Sequence, residues 1–282
     1  MMIRRALVLK GFLNQIAPNR REALEKLLPP QEQRMLSDLP VYPIDRDAEE
    51  TDILQKVHWS WFLPTLKSHS EKEQKLFLAA LLSPIAEPLA RALHISLPKE
   101  NISPTGKSFL QGILFQSLVG EKNRLLPISY LPPSPLHFLL HLSKKDLTEL
   151  IDDLSMYDLA SELRQIVETK ILKRIYSFLS EEQRKFLKIA MVHKEKSPLP
   201  RMGLDKWDQS EEALHHALHR RGLARLGSIL SRQDPDLIWY VCHQLDIGRG
   251  NTLFKICEKE GPSGWAETVL KQIEDWREWK QL

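Results

Sequence analysis

Apolar side chains recur at helical spacing through residues 136–191, and the rest of the chain repeats this pattern. The first set follows the i, i+3, i+4, i+7 spacing of one helix face. The sets in this stretch are Leu147, Leu150, Ile151 and Leu154; Leu159, Leu163, Ile166 and Val167; Ile171, Leu172, Ile175, Phe178 and Leu179; and Phe186, Leu187, Ala190 and Met191. Charged residues occupy the opposite faces, with Asp152 and Asp153 expected in solvent. The pattern predicts a series of short amphipathic helices.

Capping-box pairs mark the breaks between these helices, because each is a Ser followed three residues later by an acid or amide. The pairs are Ser143 with Asp146, Ser155 with Asp158, and Ser180 with Gln183. Each box gives the first-turn N–H groups a partner and favours a helix start by about 1 kcal/mol. Helices of this length are marginal alone in water, so we expect them to stack as in bundles and solenoids.

The same pattern continues on both sides of the central stretch. It predicts helices over residues 3–16, 19–28, 31–39, 70–81, 85–93, 107–119, 211–221, 223–230, 235–245 and 265–279. Asn19 and Ser70 are expected N-caps, Gly222 is expected to end a helix, and residues 40–52 are expected to form a loop. Residues 120–135 are rich in Pro, which predicts a boundary between two packed subdomains, 1–125 and 126–282.

Composition supports helix over sheet, because Leu is abundant while Val and Gly are sparse. We therefore predict an all-α fold. A net charge of +3 does not by itself imply nucleic acid, and the two cysteines suit a reducing compartment. The apolar run near the N-terminus ends at Lys10, so the run is too short for a signal peptide. No apolar run approaches the ~20 residues that span a bilayer. A cytoplasmic location is expected, with membrane association only through partners.

Candidate motifs for catalysis and metal binding are incomplete. The run Thr105-Gly106-Lys107-Ser108 resembles the end of a phosphate-binding loop, but Asn101 stands where that motif needs Gly. The pairs His137/His141 and His215/His219 have helical metal-ligand spacing without an accompanying Glu or CxxC. No nucleophile elbow is present. We therefore predict no catalytic residues, no metal and no cofactor, and no small-molecule substrate.

Two regions near the C-terminus are candidates for partner contact. The segment 219–250 is locally basic and ends in an unusual density of polar and Gly residues, and a tryptophan seam runs along the final helix. The candidate contact residues are His219, Arg220, Arg221, Arg225, His243, Asp246, Arg249, Trp265, Trp276 and Trp279. For the basic segment the alternatives are a protein-docking surface, RNA binding with Trp239 and Tyr240 as stacking platforms, and a capped helix end. The seam either closes the fold or receives a partner.

The central stretch resembles the helical repeats of the flagellar switch protein FliG. The resemblance lies in a leucine-rich helix at residues 147–154, the run Asp158-Leu159-Ala160, and a helix at residues 170–178 followed by Leu179-Ser180. It covers about 55 residues well and the remainder loosely. The flagellar proteins carry a basic residue at the position of Asp152, so the resemblance extends to the scaffold and not to torque generation.

A scaffold of this kind without rotor charges looks like the accessory subunit of a type III secretion sorting platform, the SctK type. This resemblance implies a non-enzymatic adaptor that links an inner-membrane ring to cytoplasmic pod subunits. Its partners would be secretion-apparatus proteins contacted through helix faces. The alternative carried forward is an RNA-binding helical protein that uses residues 219–250.

Overall fold

The structure is a computed structural model that describes residues 2–14, 16–39, 53–98, 102–120, 125–193, 198–204, 207–259 and 265–281. Helices make up the regular structure, and no strand occurs among these residues. The predicted all-α fold is therefore confirmed. The predicted loop at residues 40–52 lies outside the described residues.

Short helices follow one another along the whole chain. The first seven are α1 (Met2–Asn14), α2 (Pro18–Glu25), α3 (Pro30–Asp38), α4 (Leu63–Lys67), α5 (Glu71–Ala80), α6 (Ser83–Leu93) and α7 (Pro104–Val119). The next eight are α8 (Lys144–Leu154), α9 (Met156–Leu163), α10 (Thr169–Phe178), α11 (Glu181–Ala190), α12 (Glu211–Leu230), α13 (Pro235–Gln244), α14 (Ile247–Cys257) and α15 (Trp265–Lys280). Three 3₁₀ turns lie at Trp59–Trp61, Ile128–Tyr130 and His137–His141.

The chain forms two compact units, and each is built from two separate segments of the sequence. Unit 1 comprises Met1–His137 together with Asp234–Asp246, and unit 2 comprises Phe138–Gln233 together with Ile247–Leu282. The division after residue 137 falls just beyond the predicted boundary at 120–135. The return of residues 234–246 to unit 1 has no counterpart in the prediction, which placed them with the C-terminal subdomain.

Unit 1 holds an apolar core to which the returning segment is tied by hydrogen bonds. The core residues are Leu54, Val57, Phe62, Leu66, Phe77, Leu78, Leu81, Ile85, Ala86, Leu89, Ala90 and Leu114. The N–H of His58 donates to the carbonyl of His243 at 2.7 Å, and Trp61 Nε1 donates to the carbonyl of Leu245 at 2.9 Å. Tyr240 donates its hydroxyl to the carbonyl of Leu126 at 2.8 Å. These bonds fix α13 against residues more than one hundred positions earlier.

Helix α12 is the central helix of unit 2, where it packs against α8, α14 and α15. It runs unbroken through Gly222, so the predicted helix end there is wrong. A Cβ atom at Gly222 would lie 1.7 Å from the carbonyl oxygen of Ile151, and one at Gly227 would lie 2.4 Å from a methyl of Ile256. Gly222 is therefore required for the close crossing of α12 and α8 and does not act as a terminator.

The predicted helix starts are confirmed in part. Ser70 and Ser180 form complete capping boxes, and Ser143 accepts from the N–H of Asp146 at 3.1 Å. Ser155 does not cap, because its backbone is already helical and its hydroxyl donates to the carbonyl of Asp152. In α2, Pro18 takes the first helical position and Ala17 precedes it, so Asn19 is not the N-cap.

Candidate functional site

Arg225 is the centre of a buried polar network in unit 2. The residue is 2% exposed, and its guanidinium binds both carboxylate oxygens of Asp158, at 2.8 and 3.0 Å. Nη1 donates to Gln272 Oε1 at 2.5 Å, and the guanidinium lies 5.4 Å from the ring centroid of Trp265. Arg225 thereby joins α9, α12 and α15 in the interior. The side chain predicted to contact a partner is buried and holds the fold together.

Asp153 is a second buried acid, although the sequence pattern placed it in solvent. Its Oδ2 accepts from Trp276 Nε1 at 2.9 Å, so the acid joins α8 to α15. Burial raises the pKa of the Asp153 carboxyl to about 7, and the bond from Trp276 opposes this shift. The neighbouring charges are Lys280, which favours ionisation, and Asp152 and Glu149, which oppose it.

Asp153→Asn is expected to remove a pH dependence of stability. The pKa in the folded chain lies above the ordinary 3.8, so folding binds the proton more tightly, and the stabilisation present below pH 4 is lost as pH rises to about 7. Asn cannot ionise and still accepts from Trp276 Nε1. We expect the variant to gain on the order of 2 kcal/mol over the parent protein between pH 5 and pH 8.

Urea unfolding at both pH values measures this difference. Asp146→Asn, in the first turn of the same helix, is the control and is expected to show no gain at pH 8. An Asp153→Asn variant that parallels the parent protein at both pH values would contradict the assignment of a buried titrating acid.

The tryptophan seam closes the fold at two of its three positions. Trp265 and Trp276 are buried, and the indole N–H of Trp276 donates a hydrogen bond to Asp153. Trp279 is half-buried, with its ring centroid 5.1 Å from that of Phe186. Of the two alternatives for the seam, closure of the groove therefore describes Trp265 and Trp276, while Trp279 is only half-buried.

The basic segment of α12 is only partly on the surface. Arg220 is exposed, whereas Arg221 donates to the carbonyl of Pro200. His219 Nδ1 lies 2.6 Å from Asp152 Oδ1, so this imidazole joins α12 to α8. Within the described residues no group of three His, Cys, Asp or Glu side chains is placed to hold a metal ion.

His243 lies inside unit 1, between two indole rings. Its ring centroid is 4.0 Å from that of Trp61 and 3.7 Å from that of Trp239. Nδ1 is 2.8 Å from the carbonyl of Trp239, and burial lowers the pKa of the imidazole to about 4. His243 is therefore neutral at neutral pH, and it is buried where the prediction placed it on the surface. Asp246 and Arg249, also predicted contacts, are partly exposed.

The remaining motifs have structural roles. The Thr105–Ser108 run forms the first turn of α7, and the Ser103 hydroxyl caps it by accepting from the N–H of Gly106 at 3.2 Å. The helix therefore begins at Pro104, three residues before the predicted start at residue 107. Burial raises the pKa of the Cys257 thiol to about 12, which leaves very little thiolate at neutral pH.

A small polar cleft lies beside α9. It has a volume of about 220 Å³ and is lined by residues of α9, Arg221 and the segment 199–202. Glu162 is buried there, and its Oε1 accepts from the N–H of Met202 at 2.9 Å and lies 3.3 Å from Arg201 Nε. Glu162 Oε2 is buried and has no hydrogen-bond partner among the described residues. The carboxylate thus fastens the segment 199–202 to α9.

A basic and apolar surface on α10 and α11 was not predicted. Sequence periodicity assigned Val167 and Met191 to the core, but Val167 is 95% exposed and Met191 is also exposed. Val167 precedes the first turn of α10, and Met191 follows the last turn of α11, so helical spacing does not apply to them. We use the name α10–α11 surface for six exposed residues, which are Lys173, Tyr176, Arg184, Lys188, Met191 and Val192.

Comparison with protein-family models, with curated proteins and with solved structures found no match to the chain. Among the described helices, none combines the length and the apolar character needed to cross a bilayer.

Proposed function

We propose that this protein is a non-enzymatic adaptor of a bacterial type III secretion apparatus. In this proposal it links an inner-membrane ring to the cytoplasmic sorting platform and works at the membrane only through its partners. The all-α fold agrees with the resemblance on which the proposal rests. Its contacts would be made by helix faces, since the buried acids and bases described above are committed to the interior of each unit.

The observation that carries the proposal is the set of large apolar side chains left in solvent on both units. Phe109 on α7 is 68% exposed in unit 1, and Val192 beyond α11 is 76% exposed in unit 2. Contiguous exposed apolar patches rimmed by polar groups mark protein-interaction sites, and a few anchoring side chains supply most of the binding energy there. An adaptor with two partners requires a surface of this kind on each unit.

A tagged full-length chain tests the proposal when it is purified after cross-linking from its native cell. We expect inner-membrane ring and pod subunits to co-purify, as measured by quantitative mass spectrometry. Phe109→Asp is expected to reduce at least one of them tenfold, whereas Ser108→Asp, at the neighbouring exposed position of α7, leaves recovery unchanged. Absence of every secretion subunit from the wild-type preparation would end the adaptor proposal.

RNA binding through residues 219–250 has less support from the arrangement of that segment. Arg225 and His243 are buried, and Arg221 is engaged with Pro200, so few of its cationic groups are accessible together. RNA binding that weakens steeply with salt, and that is lost in Arg220→Glu, would favour this alternative over the adaptor.

A further inference from the structure

Residues 164–193 carry most of the positive charge that the chain does not balance. They contain seven Lys and Arg residues against three Glu residues, an excess larger than the net charge of +3 for the whole chain. Glu181 pairs with Lys185 at 2.8 Å, and Glu182 lies 3.5 Å from Lys280, so two of the three acids are already engaged. The cationic groups outnumber the acids available to neutralise them.

Cationic side chains lie on the outer faces of both α10 and α11. Ile171 and Ile175 of α10 are buried, which leaves Lys173 on the outer face beside Tyr176. On α11, Arg184, Lys188 and Met191 follow i, i+4, i+7 spacing, so they lie in one row. Lys173, Arg184 and Lys188 have no ion-pair partner among the residues that the structure describes.

Apolar side chains lie between these cationic groups where the ends of the two helices meet. The Tyr176 hydroxyl lies 4.0 Å from the sulfur of Met191, which brings the end of α10 next to the end of α11. Arg164 donates to the carbonyls of Met191 and His193, at 2.6 and 2.7 Å, and so fixes the backbone that carries Val192. The apolar groups are held on the surface by a fixed backbone, so their exposure is a property of the fold.

We infer that the α10–α11 surface is the docking site for an acidic amphipathic helix of a partner protein. The apolar centre of Tyr176, Met191 and Val192 receives the apolar face of that helix, and Lys173, Arg184 and Lys188 pair with its flanking carboxylates. Charge complementarity selects this occupant, because a neutral or basic helix would leave the cationic groups beside a desolvated interface without counter-charges. The inference rests on the proposed adaptor function and assigns one of its contacts.

Two synthetic peptides test the inference with the full-length protein. Both are amphipathic helices with leucines at i, i+3, i+4 and i+7; one has glutamates at its other positions and the other has lysines. We expect the glutamate peptide to bind, as measured by fluorescence anisotropy, and to slow hydrogen exchange over residues 164–193. Equal binding of the lysine peptide, or protection confined to another part of the chain, would overturn the inference.

Charge reversal separates this surface from the rest of unit 2. Lys173→Glu combined with Lys188→Glu is expected to raise the Kd of the glutamate peptide at least tenfold. The matched control is Lys255→Glu with Lys271→Glu, two exposed lysines on α14 and α15, which leaves the Kd within twofold. Met191→Ser with Val192→Ser tests the apolar centre and is also expected to weaken binding tenfold. Thermal midpoints of all three variants confirm that each is folded, and unchanged affinity in both surface variants would refute the inference.

Other polyanions and the adaptor function are tested separately. If polyuridine RNA or phosphatidylserine vesicles protect residues 164–193 more strongly than the glutamate peptide does at the same salt concentration, that ligand and not an acidic helix occupies the surface.

If secretion subunits co-purify equally with the wild type and the charge-reversed variant, the adaptor function stands and this docking site is refuted. If none co-purifies but the peptide binds, the adaptor function fails and the docking site stands.

Discussion

Gly222→Ala is expected to destabilise the protein by about 3–5 kcal/mol, although Ala is the better helix former. On propensity alone, Gly to Ala within a helix stabilises by about 1 kcal/mol. Here the added Cβ would lie 1.7 Å from the carbonyl oxygen of Ile151. Because this oxygen belongs to the backbone of α8, it cannot rotate out of the way as a side chain could. Helices α12 and α8 must separate to admit the methyl group, which exposes the apolar face of α8.

Urea unfolding of the full-length protein measures the effect, and two other substitutions on α12 serve as comparisons. Gly227→Ala meets a methyl group of Ile256 at 2.4 Å, and this side chain can shift, so a smaller loss is expected. Arg220→Ala, on the exposed face, is expected to change stability by less than about 0.5 kcal/mol. A stabilised Gly222→Ala variant would contradict the close crossing of α12 and α8.

Arg225→Met is expected to cost about 3–5 kcal/mol, because it leaves the Asp158 carboxylate buried without its counter-charge. Met fills part of the space but donates no hydrogen bond, so Gln272 Oε1 also loses its donor. Most of the lost stability therefore comes from the buried Asp158 carboxylate and Gln272 Oε1 that remain without a partner. The removed ion-pair attraction contributes less. Arg220→Met provides the matched control, since that side chain is exposed on the same helix.

A double-mutant cycle with Asp158→Leu separates these contributions. Removing the acid together with Arg225 eliminates the uncompensated charge, so we expect the double variant to recover at least half of the stability lost by Arg225→Met. Denaturant unfolding of the four proteins gives the coupling energy. Strictly additive losses would show that Arg225 and Asp158 do not interact as a buried pair.

Local chemistry made much of the helical pattern predictable from sequence. Ser70 and Ser180 begin helices where their capping boxes predict, and the spacing of Leu147 and Leu150 identifies the buried face of α8 correctly. These features depend on residues within one or two helical turns of each other. The resemblance to the helical repeats of FliG is of another kind, and it stays a prediction.

The candidate site was less predictable because its determinants are distant in sequence. Asp158 matches a capping acid by spacing, but its partner Arg225 lies 67 positions later. The sequence pattern places Asp153 on the polar face of α8, but the packing of Trp276 from α15 buries it. Glycine is a helix terminator by local rule, and only the crossing of α8 explains Gly222. Val167 and Met191 were assigned to the core because periodicity does not detect where a helix stops.

The return of Asp234–Asp246 to unit 1 determines the order in which the units can be completed during synthesis. The first 137 residues emerge without α13, so the bonds from His58, Trp61 and Leu126 to that segment have no partner. At ribosomal rates of about 5–20 residues per second, the missing piece follows about 5–20 seconds later. Residues 138–233 are made within that interval, so most of unit 2 emerges before unit 1 can close. A fragment ending at residue 137 would consequently lack part of its own core, whereas co-expressing it with the remainder of the chain supplies the missing helix.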